Sequence, residues 1–329
     1  MNYKLYMKRF AIILIIVILL LAIIFSGAYF FASKTIKQEF AKLSGIENSY
    51  QPNVKCNKLE IDGFPFKFNI TCQQAIIIDG DARFEIENIE IKYSFFSPMR
   101  AQISATSPLK YSNEFFASKQ EFRWDTLKSD IALNGWKLKL ATLDVSKFEF
   151  VDLLFGENII ASSDAFKIII YDEGLDYDPI KNLTNVKLNI TGKKIDFKNF
   201  DIESGELALN VTISRLPADI RLWGSEEILR QWQMQQGEIL LKQLSASDFS
   251  KQIDIYGKAH LDSFGFLTGE FEIDSKNIVE LIAPNFPVEM QPIIFGSKDE
   301  NGSYSQSIIF KNGNIYSGLL PIGQIPALL

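Results

Sequence analysis

The chain has one histidine and two cysteines in 329 residues. A nucleophile activated by an imidazole has one possible base here, His260. It sits in an alternating stretch on the opposite side from Ala259 and Leu261, as a solvent-facing strand residue does. Four nitrogen and sulfur ligands for zinc cannot be gathered from a lone His and one distant pair of Cys. G-x-S-x-G, G-x-G-x-x-G and P-loop patterns are absent. After the first few residues no Lys/Arg block stands out and the net charge is −6, so nucleic acid, which is held by clustered bases, is not an expected partner. Carboxylates cluster at Asp172-Glu173 and Asp176-Tyr177-Asp178 ahead of Pro179, a turn-like setting without EF-hand spacing. The expectation is a protein that is not an enzyme, with no cofactor and no metal.

Against these absences stands one long apolar run. Phe10–Phe31 contains no charged residue. As a helix these twenty-two residues rise ~33 Å, enough for the ~30 Å core of a bilayer. The run exceeds the ~7–15 residues of a signal-peptide core and no A-x-A pattern follows it, so an uncleaved anchor is expected. Lys4, Lys8 and Arg9 precede it and Lys34, Lys37 and Lys42 follow, which leaves the local charge count level. Because long downstream domains translocate largely regardless of charge, residues 1–9 read as a cytoplasmic tail, 10–31 as a transmembrane helix, 32–50 as a stalk helix or linker, and 51–329 as a β-rich domain outside the cytoplasm. Ile36, Phe40 and Leu43 keep helical spacing into the stalk.

From Val54 onward the period changes to two. Leu59 and Ile61 alternate with polar residues, as do Phe66, Phe68 and Ile70; Phe84 and Ile86 follow, and after a phase slip at Asn88 come Ile89, Ile91 and Tyr93. Leu138/Leu140, Leu143/Val145 and Phe148/Phe150 repeat the pattern. Leu207, Leu209, Val211 and Ile213 form the cleanest strand, joined by Ile253 and Ile255 in one and Phe271 and Ile273 in another. Asn312-Gly313 between apolar runs is a two-residue hairpin signal. Helices are few: Ser225 reads as an N-cap before Glu226–Gln236 with Gly237 as the stop, and Asp274 or Ser275 as a cap for Lys276–Ala283. The expected class is mainly β: a large curved antiparallel sheet, groove or barrel-like, with a few short helices.

Cys56 and Cys72, sixteen positions apart, can close a loop in an oxidising compartment, stabilising by ~3 kcal/mol on a chain-entropy argument; two buried reduced thiols are the alternative. Between them lies Gly63-Phe64-Pro65-Phe66, a structural turn: Gly63 permits a tight bend, Pro65 fixes the backbone, and the two Phe fall on one side when extended. Phenylalanine is abundant, 27 residues. The ordinary expectation is that these rings fill core. A curved sheet with little helix to cover it would, however, leave Leu207, Leu209, Val211, Ile213, Ile253, Ile255, Phe271 and Ile273 lining a candidate apolar groove for acyl chains.

The G-F-P-F element between two cysteines, the stretch Gln231-Trp232-Gln233-Met234-Gln235-Gln236-Gly237 and the ending Asn312-Gly313-Asn314-Ile315-Tyr316-Ser317-Gly318 resemble an uncharacterised envelope family of Gram-negative bacteria, domain of unknown function 2125. The chain departs from the family pattern at Glu238, where a second Gly often follows Gly237, and at Ser247-Asp248-Phe249, where a Trp-Gly pair is common. More distantly, the architecture is similar to AsmA-like envelope proteins, with one inner-membrane helix before a long β-sheet. These resemblances imply a non-enzymatic protein anchored in the bacterial inner membrane, N-terminus cytoplasmic and main domain periplasmic. It would bind or transfer lipid or, alternatively, dock an envelope protein partner as a structural or assembly factor.

Overall fold

In the computed structural model the described residues are 3–44, 53–174, 182–223, 225 and 227–329. The chain is mainly β and divides into two compact units, Met1–Lys119 and Gln120–Leu329. The Asp176–Pro179 turn expected from sequence lies outside the described residues.

Unit 1 begins with helix α1, Tyr3–Ser44, unbroken through the apolar run and the expected stalk. Most side chains between residues 10 and 22 lie outside those described. Among the described residues no helix is long and apolar enough to cross a membrane. Strands β1 (Asn53–Asp62), β2 (Lys67–Asp79) and β3 (Ala82–Ser94) form an antiparallel ladder. The phase slip at Asn88 does not end a strand. β3 runs straight through it and changes partner there, pairing through Ala82–Ile86 with β5 (Leu109–Asn113) and through Ile89–Ser94 with β4 (Ser97–Ala105). Opposite the slip, Gln74 of β2 has φ 50°, while the β2–β3 register continues unshifted on both sides of it.

The unit boundary falls within β6, Ser118–Arg123. In unit 2, β6 and β7 (Thr126–Asn134) pair with opposite ends of β8 (Lys137–Asp152). From β8 the chain meanders, each strand antiparallel to the next: β9 (Asn158–Asp172), β10 (Leu183–Phe197), β11 (Ile202–Pro217), β12 (Glu238–Ser247), β13 (Gln252–Leu261), β14 (Leu267–Lys276), β15 (Ser303–Lys311), β16 (Asn314–Ser317) and β17 (Leu320–Gln324). Among the described residues no pairing joins β17 back to β6–β8, so this ladder is open. The three apolar pairs expected between residues 138 and 150 belong to one strand, β8, whose register with β9 passes Lys147 (φ 51°) unshifted and changes only between Phe150 and Val151. The β15–β16 turn is the expected hairpin: Lys311 pairs with Asn314, and Asn312 and Gly313 both have positive φ, 52° and 75°.

The helix expectations need correction. α2 is Glu227–Met234, and the Ser225 hydroxyl donates to the Leu222 carbonyl instead of capping the helix. The left-handed residue after it is Gln236, φ 54°, not Gly237. The expected helix Lys276–Ala283 is mostly absent: Asp274, Ser275 and Lys276 remain in β14, hydrogen-bonded on both sides, and only Val279–Ile282 (α3) is helical before a 3₁₀ turn containing Pro284. Two flanking strands offer these residues a full ladder, which outweighs a local cap signal. A short α4, Gln291–Phe295, follows.

Candidate functional site

Residues directly opposite one another in an antiparallel pair point to the same face, so the register identifies each face of unit 2. One line of partners runs Leu143, Ile168, Ile190, Leu209, Leu244, Ile255, Ile273 across β8–β14. A neighbouring line runs Val145, Phe166, Gly192, Leu207, Ala246, Ile253, and another carries Leu188, Val211, Leu241, Gly257 and Phe271. Ile213 pairs with Ile239 on the same face. All eight candidate groove residues therefore share one surface, and it extends well beyond them onto β8–β10. Seven strands place its outer members about 29 Å apart.

The opposite face carries the other chemistry. Asp144, Lys167, Thr191, Ala208, Ser245, Asp254 and Asp274 form its corresponding line, with Lys167 Nζ 2.8 Å from Asp144. On the apolar face, all eight candidate residues are half-buried. At the far edge α4 covers the sheet: it contacts β15 and β16, where Gln306 and Ser317 donate from the sheet to the Ile293 carbonyl at 3.0 and 2.5 Å. That is why two polar residues interrupt the apolar lines there. A pocket of about 250 Å³ opens on this face between Phe197, Phe200, Leu207, Ile253, Ile278 and Leu281. At its rim the Asp248 carboxylate accepts from the backbone N–H groups of Ser250 and Lys251 at 2.7 and 2.6 Å. Burial pushes its pKa up, but these donors and Lys251 hold it below the usual carboxylate range.

A second, wider cleft of about 1360 Å³ lies against α2, lined by Arg215, Gln233, Glu238, His260 and Asp262 among others. His260 is exposed, as its strand position implied, and pairs across the ladder with Glu238. Ser214, in the same cleft, is tied to the Glu238 backbone, accepting from its N–H at 3.0 Å and donating to its carbonyl at 3.3 Å. Arg215 donates to the carbonyls of Gln235 and Gln236. These polar groups hold the chain turn after α2 in place.

In unit 1, Cys56 and Cys72 form a disulfide between β1 and β2, Cα atoms 5.4 Å apart. Gly63, φ 96°, makes the bend that the G-F-P-F element needs: a Cβ there would lie 2.8 Å from the Lys67 carbonyl oxygen, and Lys67 N–H closes the turn on the Gly63 carbonyl at 3.0 Å. The turn presents its rings to α1. Phe64 packs on Tyr29 and Phe30, ring centroids 5.2 and 6.3 Å apart, and Phe66 meets Phe25 at 6.0 Å. Below them Tyr29, Phe68 and Tyr93 form a continuous stack at 4.6 and 4.7 Å. The element thus packs ring against ring on α1. Its partners inside the apolar run were not visible to sequence reasoning, because only the fold brings residues 25–30 to residues 64–68.

Among the described residues no group of His, Cys, Asp and Glu could hold a metal ion. No curated protein and no solved structure matches the chain. Residues 29–326 match the profile of a family described as uncharacterized protein conserved in bacteria, DUF2125, and the chain belongs to that family.

Proposed function

We propose that this chain is a single-pass inner-membrane protein of the cell envelope whose unit 2 binds, and hands on, the acyl chains of a lipid, without catalysis. The observation that carries the reading is the apolar face of β8–β14, in register over seven strands and half-buried at all eight candidate residues, with a polar face behind it. Apolar surface of that extent marks an interaction site. The 250 Å³ pocket is small beside the ~300–1,000 Å³ of enclosed ligand sites, so it suits the end of a chain whose remainder lies along the open face. Each methylene buried there contributes ~0.8 kcal/mol, so several suffice for useful affinity with no charged contact. The anchor and its direction are supported by the charge-free run Phe10–Phe31, helical throughout, and by a disulfide, which belongs to oxidising compartments such as the periplasm.

The test is mass spectrometry of lipids that co-purify with the intact protein in mild detergent. Wild type should retain phospholipid after size exclusion. Leu209→Asp, at the centre of the face, should lose it while unit 2 stays protease-resistant; Leu209→Ser gives a milder second variant. If Leu209→Asp and Leu209→Ser both unfold the unit, the face is ordinary core. A folded, lipid-free wild type would favour docking of a protein partner instead. One observation speaks for that alternative: in the meander every second turn falls at one end, and there Phe155, Phe249 and Leu319 are 96%, 93% and 96% exposed.

A further inference from the structure

We infer that the aromatic end of unit 1 is itself seated in the bilayer boundary, so that the β-domain rests directly on the membrane instead of standing off it on a stalk. This rests on the reading of Phe10–Phe31 as a membrane span. The helix meets the β-strands before that run is finished: Phe25 lies 6.0 Å from Phe66 and 5.2 Å from Phe95, ring to ring. Cut at that first contact, residues 10–24 provide only about 22 Å of helix, short of the ~30 Å hydrocarbon core. The missing depth is supplied by the turns of helix that carry Phe25, Tyr29 and Phe30, and whatever packs on those turns shares their depth.

What packs there is suited to lipid. Phe64 and Phe66 pack on the helix, Phe96 packs on Phe66 with ring centroids 5.4 Å apart, and Met99 follows in β4; all four members of this collar are exposed, Phe96 by 70%. Exposed Phe rings at the end of an apolar span are the kind of apolar surface that an interfacial element sinks into the boundary between acyl chains and headgroups. Charge follows the same order. Lys67, Lys92 and Arg100 line a concavity with Ser94 and Ser97, beside the collar on the sheet, and Lys34 and Lys37 follow the run on the helix. Cations on residues neighbouring a ring collar lie at the level of lipid phosphates.

The experiment places single tryptophans in the full-length protein reconstituted in phosphatidylcholine vesicles. The four native tryptophans all lie in unit 2, and wild type in each lipid gives their emission for subtraction. Phe96→Trp and, independently, Met99→Trp should show blue-shifted emission that is lost when the lipid is brominated along its acyl chains. Phe115→Trp is the control. Phe115 is 76% exposed, but it follows β5, which pairs with the opposite end of β3 from the collar. Its emission should be unchanged by bromination. Vesicle flotation separates the two layers of the argument. Protein that floats while Phe96→Trp and Met99→Trp stay unquenched keeps its anchor and overturns the seat. Protein that does not float overturns both, and equal quenching at residue 115 overturns the seat as a specific surface.

Discussion

The indole of Trp232 occupies the space into which a β-carbon on residue 237 would project: such an atom would lie 1.9 Å from Nε1. Trp232 is 4% exposed and donates Nε1–H to the Ser214 carbonyl at 2.8 Å, while Gly237 N–H returns to the Trp232 carbonyl at 2.9 Å. Gly237 is needed for closeness and not for an unusual φ, since the left-handed residue is Gln236. This contact fastens α2 to the start of β12.

Gly237→Ala should therefore destabilise unit 2 by roughly 1–3 kcal/mol, the cost of overpacking a filled site. Trp232→Ala should be harmful alone, yet adding Gly237→Ala to it should cost little more. Urea midpoints of the four species in this cycle check the coupling; simple additivity would mean that the two residues do not share one space.

The cysteine pair should be invisible to maleimide in protein that is denatured but unreduced, and should label at both Cys56 and Cys72 after reduction. Replacing either by Ser should lower stability by ~3 kcal/mol. The readout is intact-mass spectrometry before and after reductant, and labelling without reduction would refute the bond.

Asp248 links acid stability to the rim of the apolar pocket. Its folded pKa lies below the unfolded value of ~3.9, so its contribution is complete above about pH 4 and is lost as pH falls through the lower folded value. Asp248→Asn should lower stability at neutral pH by roughly 1.5–3 kcal/mol, the range for a hydrogen bond to a charged group, and should flatten the acid limb of the stability curve. Asp164, held down to about 2 by Lys147 and Lys194 at 2.6 and 2.9 Å, also titrates there, but both lysines are exposed, and water screens such pairs. Asp164→Asn should leave the limb almost unchanged. Thermal melts from pH 2 to 7 compare the three proteins.

Orientation is open to a direct measurement. A reporter active only in the periplasm should work when fused at Leu329 and fail when fused ahead of Lys8. Activity of a cytoplasm-only reporter at Leu329 would reverse the topology and remove the compartment in which the disulfide forms.

What the sequence determined by itself was local and periodic. Alternation at Leu207–Ile213 specified a strand with one apolar face, Asn312-Gly313 specified the hairpin between β15 and β16, and the spacing of Cys56 and Cys72 allowed the loop they close. Each depends on neighbours a few residues apart or on a short closed loop. Register was another matter. That Leu209 stands in line with Ile190 and Ile168 on one side and Leu244 and Ile255 on the other depends on hydrogen-bonded pairing over long sequence separations, with register shifts such as that between Asn210 and Val211 resetting the phase. The same is true of Asp274–Lys276, where a strand ladder on each side overrode a helix cap. It holds as well for the collar, where the apolar run and the G-F-P-F turn, unrelated in sequence, meet ring against ring. Side-chain pattern decides which face of an element is apolar, but only tertiary pairing decides what that face adjoins.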